Sequence, residues 1–253
     1  MERLRTVIAG GGLAGLTAAS VLTDAVVLEK EKIPGGLLRS PKHEGFIIDL
    51  VPHVFFTPNL KAIEFFEEKV GEGRFFLHDS DVRIWSHQAL TRFPFQCSLY
   101  GLPSDVIVEC LYEFATARAN PPDSIDNFYD FAVATFGKGI VKHFLRDYNR
   151  KLWGVKELSE LTADWVGGKV ITIELRDVIE GAFIDRRYTS LPNAQFRYPK
   201  EGGIETLGLK TAEHVERLEL ECEIAAIDPE AKIVITTDGR GFAYEHLVYT
   251  LPL

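Results

Sequence analysis

Three glycines, Gly10, Gly12 and Gly15, come after the apolar run 7–9 and lead into the small-residue stretch Leu13-Ala14-Gly15-Leu16-Thr17-Ala18-Ala19. This is the G-x-G-x-x-G spacing, and the chemistry it serves is the holding of a diphosphate by backbone amides. Each glycine has its own task. The first permits a tight turn, the second lets the main chain approach a pyrophosphate, and the third lets helix and strand pack closely. A helix starting near Leu13 would add orphan amides and a positive dipole end, an attraction for negative charge of about 0.3–1 kcal/mol. Glu29 closes a second apolar run, Ala25–Leu28. A carboxylate roughly 20 residues beyond the first glycine is placed to accept both hydroxyls of a ribose.

The elements that must position these residues are a strand over 7–9, a helix from Leu13 and a strand over Ala25–Leu28, a βαβ unit. Beyond Glu29 the chain departs from a nicotinamide-type Rossmann domain, in which a crossover helix and a third parallel strand come next. Instead Pro34-Gly35-Gly36 signals coil, 45–51 reads as a short strand containing Asp49, and 58–70 reads as a helix with Leu60, Ile63, Phe66 and Val70 on one face. Extended pieces cover 75–77, 82–85 and 90–95. Helical patterns then cover Ser104–Ala119, 124–136 and 138–153, punctuated by Pro121-Pro122, Gly137 and Gly154. From 218 the period is two, over 218–227, 232–237, 242–244 and 247–251, with an Asp238-Gly239 turn signal. This predicts a β-meander and a returning strand that close the nucleotide lobe.

A chain of 253 residues, 46% hydrophobic, can bury a core large enough for two intertwined lobes. The net charge of −9 argues against nucleic acid or an anionic membrane as a bulk partner, because phosphate binding needs clustered positive potential. Three widely spaced cysteines, Cys97, Cys110 and Cys222, suit reduced thiols in a cytoplasmic protein. Neither Cys-x-x-Cys nor His-x-x-x-His spacing points to a metal. Arg3 and Arg5 ahead of an apolar stretch imitate a signal peptide, but three consecutive glycines would break an exporting helix, and no later stretch is long enough to span a bilayer. No G-x-S-x-G elbow, Walker loop or paired catalytic carboxylates support hydrolysis or phosphoryl transfer. Glu44 and Asp49, at an odd separation, fall on opposite faces of a strand.

Further stretches carry a resemblance: Pro34-Gly35-Gly36-Leu37-Leu38-Arg39-Ser40, Gly45-Phe46-Ile47-Ile48-Asp49, His53-Val54-Phe55-Phe56-Thr57, Lys151-Leu152-Trp153-Gly154, 196–203 and 248–252. Together, in this order, they resemble the flavin superfamily of amine oxidases, protoporphyrinogen oxidases and UDP-galactopyranose mutases, over essentially the whole chain. The resemblance implies an α/β protein: an FAD-type Rossmann lobe over 1–60 and 196–253, with an inserted, largely helical substrate lobe over 61–195. It implies FAD as cofactor, bound by Gly10, Gly12, Leu13, Ala14, Gly15, Glu29, Lys30, Gly35, Gly36, Leu37 and Arg39, with the main chain of Ile224 at the adenine; an ordinary core strand is the other reading of 222–227. An arginine fork suits diphosphate oxygens independently of any resemblance, while Gly35-Gly36 also reads as a plain turn after Pro34.

His53 resembles a histidine beside the flavin ring in the mutases, where a glycine pair precedes it. Here Val51-Pro52 takes that place, and neither residue can follow every path open to glycine; a buried structural histidine is the alternative. Lys138, Lys142, Arg146 and Arg150 recur every four residues as a basic face, either a solvated surface or an anion-attracting wall. Trp153 resembles a tryptophan that contacts a uridine base, and Tyr148 lies near it; core packing is the other reading of both. The functions implied are flavin-mediated redox chemistry on a small molecule, a redox-neutral nucleotide-sugar isomerisation, or a half-protein that binds a partner. The last rests on the family's greater length, with a second glycine-bearing segment expected beyond Leu253. Its expected consequences are an open sheet edge, exposed apolar surface, and self-association or a complementing chain.

Overall fold

The computed structural model describes residues 1–51, 53–167, 170, 173–187 and 194–252. Pro52 and Leu253 therefore lie outside the described residues. The chain divides into two compact units, Met1–Asp79 with Gln195–Leu253, and Ser80–Ala194.

The first unit begins with β1 (Glu2–Ala9), α1 (Leu13–Ala19) and β2 (Ala25–Leu28), then the short hairpin β3 (Lys42–His43) and β4 (Phe46–Ile47), α2 (Leu60–Val70) and β5 (Phe75–Asp79). The second holds β6 (Arg83–Ser86), β7 (Ala89–Arg92), α3 (Ser104–Ala119), α4 (Phe128–Ile140), α5 (Arg146–Trp153) and α6 (Leu175–Phe183). The chain then returns to the first unit with β8 (Gln195–Pro199), α7 (Glu205–Ala212), β9 (Arg217–Glu219), β10 (Ile224–Asp228), β11 (Ile233–Thr236) and β12 (Gly241–Tyr249).

Six strands make the main sheet, in the order β10-β11-β12-β1-β2-β9. β1 is central and parallel to both neighbours, with Ile8 opposite Val248 on one side and Val27 on the other. Covered on both faces, such strands read as continuous apolar runs, and Val7, Ile8, Ala9, Val26 and Val27 are all fully buried. The stretch that imitates a signal peptide is thus the central strand β1 followed by the glycine turn and α1. The meander is present as antiparallel β10-β11-β12.

Three expectations are corrected. The run 218–227 is two strands on opposite edges: β9 extends the parallel sheet beside β2, and β10 starts the meander. Glu221, with φ 51, and the Cys222 amide donating to the Glu29 carbonyl at 2.8 Å turn the chain between them. Next, 242–244 and 247–251 are one strand, β12, because its whole length pairs with β1. Finally, the unit boundary falls after Asp79 rather than after 60. Phe66 and Val70 of α2 pack with Leu38, Ile204 and Leu207, and β5 pairs with β8 from Phe75↔Pro199 to Asp79↔Gln195.

In the second unit α3 and α4 pack around Phe95, Cys110, Phe114, Phe136 and Ile140, all essentially inaccessible to solvent. α4 starts at Phe128 rather than 124, because Asn127 Oδ1 accepts from the Asp130 amide at 3.0 Å and caps the helix there. Gly137, with φ 76, interrupts it, and Val141–Leu145 forms a π turn leading into α5. Leu37, Phe46 and Leu60 are exposed apolar side chains of the first unit. Among the described residues no helix is long and apolar enough to cross a membrane.

Candidate dinucleotide site

The glycine turn joins β1 to α1, and its three glycines meet different neighbours. Gly10 has φ 102, and a Cβ there would meet Thr250 Oγ1 at 2.8 Å. A Cβ on Gly15 would lie 2.0 Å from the Gly10 carbonyl oxygen, so helix and turn touch through backbone alone. Gly12, with φ −71 and ψ 173, is in a conformation open to any residue, yet a Cβ there would meet nothing within 4 Å. Space is thus left at the second glycine and filled at the other two. Gly12 is also the cap of α1 and offers no side chain to the first-turn amides of Leu13, Ala14 and Gly15, which have no intrahelical acceptor.

The Gly35-Gly36 turn sits against the first. Gly35 donates its amide to the Gly11 carbonyl at 2.8 Å, and a Cβ on Gly36 would lie 3.1 Å from Gly12 Cα. Both residues have positive φ, 116 and 60, so the close approach needs glycine on conformational grounds as well. The two glycine turns, read separately in the sequence, form one backbone surface.

Glu29 lies at the end of β2, buried, with its carboxylate turned onto this turn. Oε2 accepts from the Gly11 amide at 2.7 Å and Oε1 from the Glu31 amide at 2.9 Å. Each carboxylate oxygen keeps a further lone pair for a hydroxyl donor. Lys30, next to it, is exposed, as are Ala14 and Leu37, whereas Leu13 packs against the Phe66 cluster. Ile224 stands opposite Thr236 at the start of β10, next to a bulge, and packs against the sheet core.

Arg39 is held by segments far from it in sequence. Its Nε stands 3.7 Å from Glu205 Oε2 and is buried without a hydrogen-bond partner among the described residues. Around it, Asp49 Oδ1 accepts from Ser40 Oγ at 2.6 Å and Oδ2 from the Tyr198 hydroxyl at 2.6 Å, while Ser40 Oγ accepts from the Glu205 amide at 3.0 Å. Burial, and after it the hydrogen bond to Asp49, pushes the Tyr198 phenol up to about 12, so it remains a donor through the ordinary pH range. This clasp has no signature in the sequence beyond Asp49 itself, because its members are up to 165 residues apart. The only local hint is a charged residue inside an otherwise apolar strand pattern. His53 is half-buried, its Nδ1 3.2 Å from the Val51 carbonyl oxygen.

In the second unit the basic face is largely neutralised. Lys142 donates to Glu109 at 2.7 and 2.9 Å, Arg146 to Asp147 at 3.1 Å, and Arg150 lies 4.0 Å from Asp147. The π turn over Val141–Leu145 also interrupts the regular helical spacing between Lys138 and the later basic residues. Tyr148 stacks on Phe144 with ring centres 5.0 Å apart, and both line a cleft of about 660 Å³ together with Arg83, Trp85, Arg92 and Lys151. Trp153 packs instead against Trp165, at 5.1 Å, and does not line that cleft.

Residues 8–68 match the model of a family described as an NAD(P)-binding Rossmann-like domain. Among solved structures, that of reduced UDP-galactopyranose mutase is 29% identical with a TM-score of 0.89 over 98% of the chain. A provisionally named protoporphyrinogen oxidase from Exiguobacterium sp. 255-15 matches over 99% at 19% identity and a TM-score of 0.64. Putrescine oxidase bound to putrescine matches over 99% at 13% identity and a TM-score of 0.57. The last two likenesses are of fold alone. The chain spans 56% of the length of the mutase chain and 59% and 58% of the other two.

Proposed function

Taking the chain as a member of the flavin amine oxidase-like superfamily, whose Rossmann-type fold it has, we propose that its first unit binds FAD and serves flavin-mediated redox chemistry on a small molecule. The observation that carries this reading is the surface formed by the two interlocked glycine turns, with open space at Gly12 and the Glu29 carboxylate at its edge. The donor set suits the cofactor. Backbone amides near Gly12 and the Arg39 guanidinium, whose Nε makes no hydrogen bond among the described residues, are what a diphosphate needs, and a carboxylate at the end of β2 is what a ribose needs. When bound, a flavin supplies the redox chemistry itself. The chain's residues orient it: Gly10, Gly12, Gly15, Gly35 and Gly36 through backbone, Glu29 and Arg39 through side chains. Asp49, Ser40 and Glu205 act behind Arg39, as positioning residues. Chain mixed with excess FAD and passed through gel filtration emerges with flavin absorbance in the protein peak; a colourless peak overturns the reading.

A second reading, redox-neutral isomerisation of a nucleotide sugar, is favoured by the 29% identity to UDP-galactopyranose mutase and by Tyr148, Arg83 and Lys151 in one cleft of the second unit. Aromatic and cationic side chains there suit a flat base and an anionic phosphate. Release of UDP from a UDP-sugar by flavin-reduced protein, without net oxidation, supports this reading; its absence with an active oxidase overturns it.

A further inference from the structure

His87 occupies the tip of the β6–β7 hairpin with φ 51, and Gln88 comes next with φ 57. Two left-handed residues in a two-residue hairpin suit Asn-Gly, so an imidazole held there carries a conformational cost that a commoner turn sequence would remove. The ring is engaged on both sides. His87 Nδ1 lies 2.7 Å from Ser86 Oγ, and Nε2 lies 3.1 Å from His143 Nδ1 on the π turn. His143, with only 10% of its side chain exposed, has Nε2 2.8 Å from Glu109 Oε2 of α3, and Lys142 contacts the same carboxylate. The Glu109 carboxylate thus accepts from both the Lys142 ammonium and the His143 ring.

This fixes the tautomer of His143. With Nε2–H given to Glu109, its Nδ1 is a bare lone pair aimed at His87. His87 then has two arrangements, set by a hydroxyl that can donate or accept. If Ser86 donates to Nδ1, the proton on His87 Nε2 fills the gap between the rings. If Ser86 accepts from Nδ1–H, His87 Nε2 is a second bare lone pair facing the first. Two such nitrogens, each ring oriented from behind by an oxygen, are what a borderline cation seeks. On tetrahedral Zn²⁺, imidazole nitrogens at about 2.0–2.1 Å from the metal stand about 3.3 Å apart, a few tenths of an ångström beyond the observed separation.

We propose that His87 Nε2 and His143 Nδ1 bind a divalent transition-metal ion of the Zn²⁺ class, with Glu109 and Ser86 orienting the two rings and water completing the coordination. Among the described residues no group of three or more His, Cys, Asp or Glu side chains is arranged to hold a metal; the site therefore has two protein ligands, Glu109 acting behind His143 rather than on the ion. The proposal is independent of the flavin reading, since every residue in it belongs to the second unit.

The test is calorimetric titration of the chelator-treated full chain with Zn²⁺. One saturable site is expected. His87→Asn should weaken it at least tenfold without lowering Tm, because Asn suits the left-handed turn. Glu109→Gln should weaken it about tenfold, the usual loss on removing the partner of a ligating imidazole. Absence of saturable binding to the wild type, several weak sites in its place, or an affinity unchanged by His87→Asn each overturns the proposal.

Discussion

Gly12 in the first unit and Gly181 in the second are occupied by the same residue for opposite reasons. A Cβ on Gly181 would lie 2.0 Å from the Cys97 carbonyl oxygen, so α6 is pressed onto backbone and the glycine is needed to close a gap. Gly137 and Gly139 do the same for α4 against α3, where the nearest backbone atoms would lie 2.4 and 2.7 Å away. At Gly12 neither sterics nor dihedral angles require glycine in the protein alone. Gly12 is thus a glycine that packing does not demand, at the cap of a helix and close to the buried Glu29 carboxylate. Gly137, Gly139 and Gly181 thus report on stability, whereas the proposed function gives the open space at Gly12 to the cofactor.

The sharpest way to break this contrast is Gly181→Ala. It should lose about 3 kcal/mol or more, because an overpacked helix contact must shift backbone, and urea unfolding of the full chain measures it. Gly12→Ala should cost no more than about 1 kcal/mol, the loss at a helix cap, while weakening FAD binding at least tenfold, read by quenching of flavin fluorescence. A Gly12→Ala protein that unfolds early, or binds FAD as well as wild type, removes the distinction.

Arg217→Met is expected to act next. Arg217 bridges Glu2 and Glu219 across the parallel edge, and its hydrogen bonds hold both carboxyls below their ordinary range. Groups depressed on folding stabilise above their unfolded pKa and lose that contribution as pH falls through the folded one. Wild-type urea midpoints should therefore drop between about pH 5 and 3 more steeply than those of Arg217→Met. The smallest effect is spectroscopic. A phenol raised to about 12 stabilises the fold below its unfolded value near 10 and ceases to do so as pH rises through 12. Absorbance titration should show one tyrosine ionising late, and Asp49→Asn should bring it back toward its fellows.

The glycine turn, Glu29 and the meander are legible because their signals are local: a spacing, an acid at a strand end, a period of two. Helix α3 is readable to its ends for the same reason, whereas α4 depends on a cap at Asn127 that competes with an equally good Ser124 upstream. The two-strand fate of 218–227 is not readable, because β9 and β10 share one alternating pattern and differ only in which edge they join. The unit boundary after Asp79 likewise depends on β5 finding β8 across more than a hundred residues. In the site, the interlock of the two glycine turns and the clasp behind Arg39 are long-range facts. The paired imidazoles are too: His87 and His143 are 56 residues apart.

The position of β1 between β12 and β2 has a consequence for synthesis. Glu2 meets Phe242, so β1 gains its second neighbour only once the chain has been translated as far as β12. The compact unit Ser80–Ala194 is by then out of the ribosome. The inserted unit can settle first, while the early strands remain half-paired and sticky, a window in which chaperones would be most engaged.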